Sequence, residues 1–100
     1  MKPRPRMGSK ENFVAEVRDC YLPDDSEMVS GVLFVSLKYG AAKHLCPCGC
    51  GNVVVTQIGK PHGWSLKLDG RTPTLSSSIW SPNLPCNSHY FIRNGRVVWA

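Results

Sequence analysis

Long hydrophobic runs are missing from this chain. No stretch approaches the roughly 18 apolar residues that cross a membrane as a helix, so no membrane span is expected. The first ten residues are basic but lack the apolar core of a secretory signal, and a cytoplasmic location is the simplest expectation. Acid is scarce too, with 7 Asp and Glu against 12 Lys and Arg and a net charge of +5. Such a balance invites a nucleic-acid partner. Four of the basic groups, however, are Lys2, Arg4, Arg6 and Lys10, interleaved with Pro3 and Pro5. They read as a solvated basic tail over residues 1–12, which makes nucleic acid the less favoured partner. Several catalytic signatures are also absent. There is no Gly-x-Ser-x-Gly elbow, no Ser-x-x-Lys and no His-x-Glu of the zinc deaminases.

What remains is one domain, residues 13–100, with a modest core. A chain of this size buries roughly 60–65% of its unfolded surface, and metals or disulfides often supplement such cores. The five cysteines supply the candidate staple. Three alternate in Cys46-Pro47-Cys48-Gly49-Cys50-Gly51, and a Cys-x-x-His pair, Cys86 and His89, follows 36 residues after Cys50. Cysteines so close in sequence make strained disulfides. Clustered thiols with Pro and Gly between them suit a metal turn instead, with zinc the default ion. Cys20 stands apart and reads as a small buried hydrophobe.

The patterning is all-β or nearly so, with about six strands and at most one short helix. Phe13–Arg18 partly alternates as a strand, with a helical turn as competitor. Leu22–Ser30 is a loop, or a turn opening a short helix capped by Asp. Val32–Tyr39, β-branched and aromatic between Gly31 and Gly40, is the strongest strand. Asn52–Ile58 leaves the cysteine turn as another. Trp64–Leu68 alternates and ends at a tight Asp69-Gly70 turn, with Thr72–Leu75 returning. Ser76–Pro85 reads as irregular. Asn94-Gly95 between His89–Ile92 and Arg96–Trp99 is a strong type I′ hairpin signal. The expected architecture is a small zinc-ribbon-like antiparallel β domain with a C-terminal hairpin, in which two turns donate the ligands.

Two ligand sets satisfy a four-coordinate site. Two clustered cysteines can join Cys86 and His89, or Cys46, Cys48, Cys50 and Cys86 can form an all-sulfur site that leaves His89 free. Gly49 and Gly51 can supply the backbone angles that three alternating ligands need. His44 reads as an imidazole before the turn, either on the surface or just outside the ligands, and His62 as a loop histidine. A catalytic zinc would keep a position open for water and use less sulfur. If His89 is free, it can act as general base for a serine of the Ser76-Ser77-Ser78 run, although a polar loop is the plainer reading of that run. No orienting acid is identifiable.

Several segments together resemble a small bacterial CPCGCG family encoded beside ubiquitin-like conjugation proteins with E1-like and E2-like partners. They are His44–Gly51, Gly63-Trp64-Ser65-Leu66, Thr74–Trp80, and Cys86–Ile92 followed by Gly95 and Trp99. The resemblance runs in the same order from about Val32 to Trp99. It implies a serine peptidase that trims a ubiquitin-like precursor and removes the protein from its conjugates. It further implies Ser78 as nucleophile, His89 as base, and Cys46, Cys48, Cys50 and Cys86 as ligands of a structural zinc. An extended substrate tail could add to a sheet edge, in a slot walled by Trp64 and Trp80; the plainer reading puts both tryptophans in the core. Against the peptidase stand two other readings, a non-catalytic zinc ribbon that binds a protein partner and a basic nucleic-acid-binding module.

Overall fold

The computed structural model describes residues 12–59 and 63–100. The basic tail, apart from Asn12, and His62 lie outside the described residues. Among the described residues eight strands form two four-stranded sheets. The first holds β1 (Val14–Arg18), β2 (Val32–Ser36), β3 (Ala41–Leu45) and β4 (Val53–Gln57) in that spatial order. The second holds β5 (Ser65–Asp69), β6 (Thr72–Trp80), β7 (His89–Arg93) and β8 (Arg96–Trp99). All neighbours pair antiparallel except β1 and β2, which run parallel. The only helical turn among the described residues is a 3-10 turn at Asp25–Glu27, which is N-capped by Asp24.

Each strand follows from its pattern or its neighbours. Val54 and Thr56 of β4 point inward and Val55 outward, the period of two that a half-buried strand requires. β2 is buried from Leu33 through Ser36, as its continuous apolarity implies. It stops at Ser36, however, and Leu37–Tyr39 turn away. Two further differences from the sequence pattern concern β3 and β6. Ala41–Leu45 is a strand because β2 and β4 flank it on both sides; its own residues carry little β preference. Ser76–Trp80, expected to be irregular, continues β6 because Ile79 and Trp80 pair with Tyr90 and His89. The β5–β6 loop is Gly70-Arg71, one residue later than expected, since Asp69 pairs with Thr72.

One apolar cluster joins the sheets. Leu33, Val35, Ala42, Cys46, Cys48 and Val54 come from the first sheet and its turn, and Leu75, Ile79, Tyr90 and Ile92 from the second. Phe13 seals one end. Its amide donates to Gly95 O at 2.6 Å, and Ala15 N donates to Arg71 O at 2.7 Å, so the start of β1 is tied to the turns of the second sheet. Asn94 and Gly95 take φ of 49° and 75°, the left-handed pair of a type I′ turn. Gly95 has a second reason to be glycine, since a Cβ there would lie 2.8 Å from Phe13 O.

Candidate functional site

Between β3 and β4 the chain curls through the three cysteines. Gly49 and Gly51 adopt φ of 88° and 84°, the left-handed values that allow successive thiols to turn inward. The amide of Gly49 donates to Cys46 O at 3.2 Å, and Cys46 N donates to Asn52 O at 2.9 Å, closing the turn at its base. Cys86 arrives from the loop between β6 and β7. That loop is shaped by hydrogen bonds from Leu84 N to Ser81 O and from Asn87 N to Leu84 O.

The sulfurs of Cys46, Cys48, Cys50 and Cys86 all lie within 4.8 Å of one another. Adjacent pairs are 3.5 Å apart (Cys46–Cys48), 3.8 Å (Cys46–Cys86) and 3.6 Å (Cys50–Cys86). None forms a disulfide. A tetrahedral ion with bonds of about 2.3 Å sets its sulfurs about 3.8 Å apart, so the four thiols fit one metal ion. Side chains support the sulfurs from outside. Asn52 Nδ2 donates to Cys50 Sγ at 3.2 Å, and Ser88 Oγ to Cys86 Sγ at 3.3 Å. Burial pushes the Cys46 and Cys48 thiols up. Burial pushes Cys50 up as well, but the Asn52 backbone and side chain and the neighbouring thiols outweigh it and bring Cys50 down to about 7. A divalent cation among these sulfurs favours the thiolate form at all four. Cys20 stands outside the cluster and is only half-buried.

His89 does not join the sulfurs. As the first residue of β7 it stacks against Trp80, with ring centroids 5.9 Å apart and planes 34° from parallel. Trp80 is held in turn by its Nε1, which donates to Asn87 Oδ1 at 2.9 Å. His44, on β3, is fully buried, and its Nε2 is 2.6 Å from Tyr90 Oη. Burial lowers its basicity to about 4, so the ring is neutral.

The serine run forms a wide bulge. Leu75 pairs with Ile92 and Ile79 with Tyr90, so Ser76, Ser77 and Ser78 stand opposite the single residue Phe91. Ser77 has φ of 75°, a strained conformation for a residue with a Cβ. Bulged residues lose their ladder partners, and β5 reaches only as far as Ser76. The Ser78 carbonyl accepts from Trp64 Nε1 at 3.2 Å. Ile79 is buried while Ser78 and Trp80 turn to the opposite face, which His89 and Phe91 share on β7. His89 pairs with Trp80, two residues after Ser78, so Ser78 and His89 are near neighbours across the paired strands. They do not hydrogen-bond to each other. Among the described residues the ion pairs are Arg18–Glu16 and Lys43–Asp25, so no carboxylate pairs with His89.

Beside this face runs a groove of about 260 Å³ between β4 and the segment after Ile79. Val53, Val55, Trp64, Trp80 and Leu84 are among its walls. Trp80 is 59% exposed, so it is not a core residue. The bulge was not foreseen from the sequence. Its trace there is a run of three small polar residues where an inward-facing apolar one would continue the alternation.

Among the described residues no helix is long and apolar enough to cross a membrane. Comparison with curated proteins and with solved structures finds no match. A family model described as "Bacterial ubiquitination-like system serine protease (BubE)" matches residues 19–100, which takes in the cysteine turn, the serine bulge and His89. The chain therefore belongs to the BubE family of serine proteases of bacterial ubiquitination-like systems.

Proposed function

We propose that the protein is a metal-stapled serine peptidase that processes a ubiquitin-like precursor or releases the protein from its conjugates, with Ser78 as nucleophile and His89 as general base. The observation that carries this reading is the shared outward face of Ser78 and His89 on paired strands, with His89 three residues after a cysteine of the metal cluster. Ser78 Oγ attacks the scissile carbonyl as His89 takes its proton, and His89 then returns that proton to the leaving amine. The amides of Ser77 and Ser78, within the irregular stretch of the β6–β7 ladder, are the candidate donors to the developing oxyanion. Water then hydrolyses the acyl-serine with His89 again as base. The ring of Trp80, rather than a carboxylate, fixes the imidazole plane.

The ion we assign is zinc, the default for a tetrahedral set of four thiolates, here Cys46, Cys48, Cys50 and Cys86, and such a set leaves it no open position for catalysis. It acts structurally, by fixing the loop that delivers His89. The substrate is the extended tail of a ubiquitin-like protein, and the groove along β4 suits a chain that adds to a sheet edge between Trp64 and Trp80. E1-like and E2-like proteins are further candidate partners.

The test is cleavage of a ubiquitin-like precursor by purified protein. Ser78→Ala and His89→Ala should each reduce kcat by at least about 100-fold while zinc content stays at the wild-type level. Release of the metal by His89→Ala, or unchanged turnover in Ser78→Ala, would end the proposal. A second reading is a non-catalytic zinc ribbon that binds a partner of the same pathway. The missing Ser78–His89 hydrogen bond favours it, although such bonds often tighten only with substrate bound. It requires that no precursor be cut.

A further inference from the structure

The strand register sets three cations in one row across the second sheet. Lys67 on β5 pairs with Thr74 on β6. Thr74, one residue before Leu75, falls opposite Arg93 on β7, and its Oγ1 accepts from Asn94 N at 2.9 Å. Arg93 in turn pairs with Arg96 on β8. Leu66, Leu75 and Ile92 point to the opposite face, so Lys67, Thr74, Arg93 and Arg96 all point outward, and the three charged residues are exposed. Like charges directly opposite each other weaken a sheet. Among the described residues none of the three has an acidic partner, since the ion pairs are Arg18–Glu16 and Lys43–Asp25.

The row borders the serine bulge. A cavity of about 370 Å³ lies between them, lined by Thr74, Ser76, Ser77, Phe91, Arg93 and Asn94 together with Leu75. The Arg93 guanidinium sits 4.2 Å from the centroid of the Phe91 ring. That stacking restricts the side chain while leaving its forked donors available to a carboxylate. On β7 the step from Arg93 to Phe91, which faces the bulge, is two residues, so about two residues of extended peptide at 3.2–3.4 Å each cover the way from the cation row to the bulge.

We propose that this cavity is a specificity subsite for an acidic segment of the peptide substrate, with Arg93 as the anchoring residue and Lys67 and Arg96 as flanking charges. It takes Asp or Glu side chains about two residues from the scissile bond. The inference rests on the peptidase reading for its substrate. Its physical basis, an uncompensated row of cations beside an open cavity, is independent of that reading.

The experiment measures anisotropy of fluorescent, extended Val/Gly peptides on the zinc-loaded Ser78→Ala chain. Each peptide carries Glu-Glu, Gln-Gln or Lys-Lys two residues from a Gly-Gly dipeptide that serves as the test scissile position. The Glu-Glu peptide should bind about tenfold more tightly than the Gln-Gln peptide. Arg93→Gln in that background should erase the difference, and Arg93→Glu should shift the preference to Lys-Lys. Arg93 is exposed, so circular dichroism and zinc content should match the parent. Equal binding of Glu-Glu and Gln-Gln, a preference that survives Arg93→Gln, or tighter binding of a single-stranded RNA of equal charge would each overturn the subsite. Incubating the same peptides with wild-type protein separates the two ideas. Discrimination without cleavage keeps the subsite and counts against the peptidase, whereas cleavage without discrimination does the reverse.

Discussion

The His44 ring and the Tyr90 hydroxyl, 2.6 Å apart, tie β3 of one sheet to β7 of the other. Both residues are fully buried. Phe13 meets the edge of His44 at 5.3 Å between centroids, and Trp99 packs against Tyr90 at 5.6 Å. β3 runs directly into Cys46, and β7 begins at His89, so this contact fixes the relative position of the cysteine turn and the candidate base. Replacing Tyr90 by Phe leaves both ring nitrogens of His44 buried without a partner, since Nδ1 already has none. The expected loss is about 1–3 kcal/mol, seen as a melting temperature lower by roughly 4–8 °C for each kcal/mol.

The same histidine makes stability depend on pH. Burial holds its folded-state value at about 4, against 6.5 for a free imidazole. Below pH 6.5 the unfolded chain takes up a proton that the folded chain refuses. The stabilising contribution is therefore complete above about pH 6.5 and is lost as the pH falls toward 4, with an upper limit of roughly 3 kcal/mol. His44→Gln should be less stable at pH 7 but flatter over this window. Both proteins keep the same four thiols, so the difference between their urea profiles at each pH isolates His44 from metal release. Parallel profiles would contradict the assignment.

The sulfur geometry sets an expected stoichiometry of one divalent ion per chain by elemental analysis. Cys50→Ser or Cys86→Ser should lower metal affinity by at least about tenfold, and chelation should unfold the domain, because the ion holds the cysteine turn to the loop before β7. His89→Ala should bind the ion like the parent.

The bulge makes its own prediction. Ser77 is held at φ of 75°, which costs a non-glycine residue about 1 kcal/mol or more. Ser77→Gly should fold at least as stably and keep peptidase activity. Ser77→Val should destabilise the bulge and reduce kcat more than it changes KM. Full activity in Ser77→Val would show that the bulge does not position Ser78, the proposed nucleophile.

Features carried by short stretches of chain were legible in the sequence. Asn94-Gly95 announces its turn because few other dipeptides accept two successive left-handed angles. The cysteine turn announces itself because thiols at alternate positions have few structural uses other than metal binding. β3 was missed because Ala-Ala-Lys-His-Leu has no strong preference of its own and becomes a strand through its neighbours. The Ser76–Trp80 strand was missed for a similar reason: its pairing partner lies beyond the loop that carries Cys86. Trp80 gave no local sign of exposure, because a tryptophan at a strand end suits the core or the surface equally well.

Local chemistry was thus written into the chain: which thiols can share an ion, where the last hairpin turns, and that strands rather than helices carry the fold. Tertiary structure decided what depends on register across segments far apart in sequence. It brought Ser78 and His89 together on paired strands, chose between the two ligand sets by stacking His89 on Trp80 away from the sulfurs, and aligned Lys67, Arg93 and Arg96 beside the serine bulge. A shift of one residue in any strand reverses the face of every side chain on it, and only the packing of two sheets over a single core selects the register.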